Sequence, residues 1–145
     1  MLVDFYHLAA SPLERVLPRI CERLLDGGER LLIVAEADRL DALDSVLWSY
    51  GRDSFLPHGR SGQPGAEGQP ILLSAVSEAA NGAENIALAD GAWRDEALAF
   101  KRAFYFFDHG HLDAARASWR ALKDRPEVER RYWKQDEAGK WVQGP

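Results

Sequence analysis

An α/β fold built on a parallel sheet is the class this sequence predicts, and three observations predict it. Short apolar runs alternate with amphipathic stretches of helical period from the first residues onward. The run Arg30-Leu31-Leu32-Ile33-Val34-Ala35 is apolar without alternation, as a strand covered on both faces requires. The 145 residues, 46% of them hydrophobic, suffice for a core without disulfides. A single domain over residues 1–145 is expected, with about 125–145 forming a C-terminal hairpin or tail.

Each element has its own signature. The apolar residues Leu2, Val3, Phe5 and Tyr6 read as a buried first strand. Ser11-Pro12-Leu13-Glu14 then has the pattern of a capping box, with serine at N-cap, proline at the first helical position and glutamate at N3. In the helix that follows, Leu13, Val16, Leu17, Ile20, Cys21, Leu24 and Leu25 share one face, and Asp26-Gly27-Gly28 ends it. After the central strand, Asp38 is placed to cap a second helix. Its inward residues are Leu40, Leu43, Val46, Leu47 and Tyr50, and Gly51 is its stop. The strand-helix alternation so far implies right-handed parallel crossovers.

Residues 59–70 contain Gly59, Gly62, Gly65, Gly68, Pro64 and Pro70 and read as a mobile loop. Residues 71–73 and 85–89 read as strands, with a turn or short helix over 78–83. The aromatic-rich stretch 97–107 reads as another strand, 112–123 as a helix, and 132–142 as a small hairpin or extended tail.

Catalytic chemistry finds little support. The first strand runs into His7-Leu8-Ala9-Ala10-Ser11-Pro12 without a glycine, and the glycines of 59–68 precede no helix, so no nucleotide-binding loop is expected. The serines lie in no GxSxG setting. One cysteine, Cys21, leaves no internal disulfide and no cysteine metal cluster, and its place on an apolar face makes it a buried small hydrophobe. His109-x-His111 lacks a third ligand and reads as loop histidines at a helix entrance. No catalytic residue, metal or cofactor is therefore expected. The alternative is a small α/β enzyme acting at the strand ends, with His7 and His58 brought together at one edge of the sheet.

The net charge of −5 argues against a dedicated nucleic-acid binder, so no direct nucleic-acid contact is expected, with DNA binding through the basic C-terminal third as the weaker alternative. No apolar run approaches the ~18 residues of a membrane span. Asp4 sits where a signal peptide carries positive charge. A cytoplasmic protein with no membrane partner is the expectation. The charge is uneven. Residues 94–145 hold 11 Lys+Arg against 9 Asp+Glu, and the remainder holds 7 against 14. A basic C-terminal third on an acidic body points to an anionic partner.

That third contains the most informative pattern. In the helix over 112–123, Leu112, Ala115, Trp119 and Leu122 form one stripe, and Arg116, Arg120 and Lys123 form a second beside Trp119. The pattern fits a core face with a solvated face. It also fits a groove for an acidic peptide with an aromatic end, held by one carboxylate–arginine bond of roughly 1.5–3 kcal/mol and one buried ring.

Several segments, in order, resemble the chi subunit of bacterial DNA polymerase III holoenzyme. They are Phe5-Tyr6-His7-Leu8, Gly28-x-Arg30, Leu43-Asp44-x-x-Leu47-Trp48, Phe55-Leu56-Pro57-His58, Gln69-Pro70-Ile71-Leu72-Leu73 and Ala114-Ala115-Arg116-Ala117-Ser118-Trp119-Arg120-Ala121. The resemblance implies a Rossmann-like three-layer sandwich with a mostly parallel central sheet and no nucleotide-binding loop. It also implies a non-catalytic adaptor of the clamp loader. Such an adaptor binds the acidic C-terminal tail of single-stranded DNA-binding protein, which ends in Phe, and reaches the holoenzyme through the psi subunit. The family's tail-binding positions correspond to Arg116, Trp119 and Arg120, and the pattern adds Lys123. The psi-facing positions correspond to Trp48 and Phe55, with Pro57 beside them; both aromatics equally fit a core. The ending from Arg125 to Pro145 is longer and more charged than the family's usual one.

Overall fold

The first strand, β1 (Leu2–His7), feeds helix α1 (Leu13–Asp26) and then β2 (Leu31–Val34) and α2 (Leu40–Trp48). The chain continues through β3 (His58–Arg60), β4 (Ile71–Ser74), β5 (Asn85–Leu88) and β6 (Arg102–Phe107) to α3 (Leu112–Leu122). It ends in β7 (Glu129–Gln135) and β8 (Trp141–Gln143). These elements come from a computed structural model that describes residues 1–50 and 56–144. The eight strands form one sheet in the order β3-β4-β2-β5-β6-β1-β7-β8. Every pairing is parallel except that of β7 with β8. This is the α/β, Rossmann-like sandwich that the alternating pattern implies.

The sheet has a core on each face. Alternate residues of one strand serve opposite cores. Leu31 and Ile33 pack with Val16, Leu17, Ile20, Cys21 and Leu24 of α1 and with Leu40, Leu43 and Leu47 of α2. Leu32 and Val34 pack on the other side, where Ala115 and Leu122 of α3 cover Val3, Phe5, Tyr105 and Phe107. All four β2 side chains are fully buried, which accounts for the unbroken apolar run. Each large apolar side chain buried this way contributes about 1.5–3 kcal/mol. Cys21 lies in this interior, and burial pushes its thiol up to about 12.

The structure corrects several local expectations. The capping box does not form. Pro12 is the N-cap residue of α1 and no side chain caps the helix. Ser11 is turned instead toward Gln135 of β7, whose Nε2 donates to the Ser11 hydroxyl at 2.9 Å while its Oε1 accepts the Ala10 and Ser11 N–H groups. Asp38 is not a helix cap. It lies in a 3-10 turn, Ala37–Arg39, that leads into α2. The glycine-rich stretch opens with an edge strand, because His58-Gly59-Arg60 pairs with β4. Residues 95–99 are a 3-10 turn, so the sixth strand begins only at Arg102. The stop expected at Gly51 lies outside the described residues. The end of α1 is as expected: Gly28 adopts φ +72°, where a side chain would be strained. The terminal segment does make a hairpin, and its first strand also extends the main sheet beside β1.

An aromatic and cationic pocket as the candidate functional site

The crossover from β6 to β7 carries α3 over β1, and this placement builds the pocket. The Trp119 ring meets Phe5 edge to face at 5.1 Å between centroids and 83° between planes. Tyr132 of β7 approaches from another side, at 5.7 Å and 89°. Arg130 lies over the indole with its guanidinium carbon 4.1 Å from the ring centroid, and its Nη1 donates to the Trp119 carbonyl. The indole is thus held in one orientation while it stays partly exposed.

Beside it opens a cavity of about 340 Å³ lined by His7, Arg116, Trp119, Tyr132 and Lys134. Two of the five are cations and none is acidic. Arg116 and Lys134 enter no ion pair among the described residues. The His7 ring stacks on Phe107 at 5.3 Å and 11°. Its Nε2 is buried and lacks a hydrogen-bond partner among the described residues. Burial, then the nearby His109 and Arg116, holds the imidazole below its ordinary value of 6.5, so it is neutral at pH 7. Burial raises the Tyr132 phenol, and Arg116 acts in the opposite direction. The pocket therefore offers a guanidinium and an ammonium for an anion, and two rings for an apolar group.

Other candidate residues are distributed unevenly. Arg120 on α3 and Lys123 just past its end are exposed and lie outside the cavity wall. Trp48 is 61% exposed at the end of α2, so it is not a core residue. It meets His58 at 4.9 Å between ring centroids. Pro57 is partly buried beside it in sequence, and Phe55 falls outside the described residues. His58 itself is buried, with its ring nitrogens on the Leu56 carbonyl (2.6 Å) and Asp44 (2.8 Å).

The expected juxtaposition of His7 and His58 is overturned. Four strands separate β3 from β1. Five strand spacings of about 4.8 Å put the two histidines roughly 24 Å apart across the sheet. His58 opens its strand and His7 closes its own, so in parallel strands they also face opposite ends. The two histidines share no site, and the enzyme reading that rested on them falls. His109 and His111 form a 3-10 turn at the start of α3, as loop histidines at a helix entrance should, with His111 bonded to Asp108.

Sequence reasoning missed His7, Tyr132 and Lys134 as members of the pocket. The signal for the last two was their i, i+2 spacing, which puts them on one face of a strand. What the spacing could not supply was the parallel pairing of that strand with β1.

Fold and pocket together define a Rossmann-like sandwich equipped to hold an anionic group next to an aromatic one. The family model described as DNA polymerase III chi subunit, HolC, matches residues 1–127, and the chain belongs to that family. It is therefore a replication accessory subunit. No curated protein matches the chain. Arg116, Trp119, Arg120 and Lys123 lie inside the matched residues, whereas Tyr132, Lys134 and the rest of the β7–β8 hairpin lie beyond them.

Proposed function

We propose that this chain is a non-catalytic cytoplasmic adaptor of the clamp loader that grips the acidic C-terminal tail of single-stranded DNA-binding protein. The observation that carries the reading is the pocket that joins Arg116 and Lys134 to the Trp119 and Tyr132 rings. Arg116 clamps the tail's terminal carboxylate, and the terminal phenyl ring lies against Trp119 and Tyr132. Arg120, exposed on the same helix, and Lys123 at its C-terminal end attract the acidic residues upstream. One tail binds weakly because the contact is small. Many tails on a coated strand raise the effective concentration and hold the polymerase near its template.

The test is titration of a short acidic peptide ending in Phe, read by calorimetry. Arg116→Ala lowers its affinity about tenfold or more, the equivalent of one charge-assisted bond. Unchanged affinity in a variant with wild-type circular dichroism removes Arg116 from the site.

A second surface links the adaptor to psi or to another clamp-loader subunit. The exposed Trp48 at the end of α2 supports it, and Phe55 and Pro57 follow within nine residues of the chain. Large exposed indoles dominate many interfaces. Trp48→Ala abolishes co-elution with the clamp-loader partner in gel filtration and leaves the peptide titration unaltered. Intact co-elution rejects this surface.

A further inference from the structure

A second cavity, of about 520 Å³, lies between α1 and the β7–β8 hairpin, on the opposite face of the sheet from the Trp119 pocket. Cations are more numerous in it. Arg15, Arg19 and Arg23 run along one wall at i, i+4 and i+8. Four helical residues rise about 6 Å, so the three arginines leave the helix at even spacing. All three are exposed and make no ion pair among the described residues.

The floor is aromatic. Tyr6 and Trp133 lie nearly parallel, with centroids 6.2 Å apart and 15° between planes, and Trp141 meets Tyr6 edge to face at 5.2 Å. Arg102 and Arg131 also reach the floor, both bonded to the fully buried Asp4. One carboxylate answers two guanidinium groups there. Lys140 adds a further cation from the hairpin, and no lining residue is acidic. The net charge of −5 conceals this concentration of positive charge.

We propose that this groove binds single-stranded nucleic acid, with successive phosphates along Arg15, Arg19 and Arg23 and a base stacked on Trp141. The ligand combines repeated negative charge with a flat ring, because the groove sets three evenly spaced arginines on one wall beside a floor where the Trp141 ring stays partly exposed. An acidic peptide supplies the charges without the regular rings. A duplex supplies the charges but keeps its bases paired, out of reach of recessed rings. The arginine wall lies within the residues matched by the family model, whereas Trp133, Lys140 and Trp141 lie beyond them.

The test is fluorescence anisotropy of a labelled oligothymidylate against the full chain at low salt. Saturable binding is expected, and three phosphates neutralised give a log–log salt slope of about −2. The double variant R15E/R19E weakens binding more than tenfold, and Trp141→Ala weakens it about five- to a hundredfold. R116A binds the oligonucleotide like the wild type, which separates this groove from the tail pocket. A duplex of the same length binds more weakly. Absence of saturable binding, or equal binding by R15E/R19E with wild-type circular dichroism, overturns the proposal. So does an acidic peptide that displaces the oligonucleotide and itself loses affinity in R15E/R19E, which makes the groove a peptide site.

Discussion

Asp4 has no exposed side-chain surface, yet it accepts hydrogen bonds from Arg102 of β6 and from Arg131 and Trp133 of β7. Burial alone pushes its carboxyl up. The bonds from Arg131, Trp133 and Arg102 together outweigh burial and hold it below the ordinary 3.8. Asp4→Ala therefore costs about 3 kcal/mol, measured by urea unfolding. This is the low end for breaking a buried pair, because both arginines keep about a third of their surface in water. A cost below about 1 kcal/mol contradicts this role for Asp4. The sign of the pH effect follows from the lowered value. Between the folded pKa and 3.8 the unfolded chain binds the extra proton, so stability is present above 3.8 and is lost as pH falls through the folded value. Asp4→Asn flattens that acid limb. His7 contributes with the same slope at higher pH: its folded value is lowered, so the unfolded chain takes up its proton first as pH drops through 6.5.

Strand β7 is the element on which both cavities depend. Tyr132 and Lys134 face the Trp119 pocket, and Arg131, Trp133 and Gln135 face the α1 groove. Lys134→Glu puts a carboxylate beside the tail's own. It weakens the Phe-ended acidic peptide about tenfold or more in a calorimetric titration, with unchanged unfolding, because Lys134 is exposed and holds no ion pair among the described residues. An unaffected titration removes Lys134 from the tail site. The helices α1 and α3 and the strand β2 were legible in the residues, since their apolar spacing follows from burial on one face or two. The pairing of Arg116 with Trp119 was legible too, because both lie on one helix. The third wall was not. Tyr132 and Lys134 belong to a strand whose neighbour, β1, is about 125 residues away in the chain, and residue periodicity contains nothing about partners at that distance. The same limit explains the histidines. His7 and His58 both border strands, but only the order of strands reveals that they lie at separate places in the sheet. Ser11 shows the reverse case, a local capping pattern overridden by a distant partner, Gln135.

At the scale of the molecule, an acidic chain carries two cationic recesses back to back across β1 and β7. Each recess joins positive charge to flat rings, and the family places the chain in the replicative polymerase assembly. An adaptor that holds a protein tail on one face and the strand beneath that protein on the other gains from both contacts being simultaneous. Exposed cations make both contacts sensitive to salt, since they are screened within about 10 Å at 0.1 M. The proposed function turns on the Trp119 pocket reading a terminal carboxylate next to an aromatic ring. The most direct test compares two calorimetric titrations of the wild-type chain, with one acidic Phe-ended peptide as the free acid and as its C-terminal amide. The amide is expected to bind at least tenfold more weakly, and Arg116→Ala to remove the difference. Equal affinity for the two peptides contradicts that function.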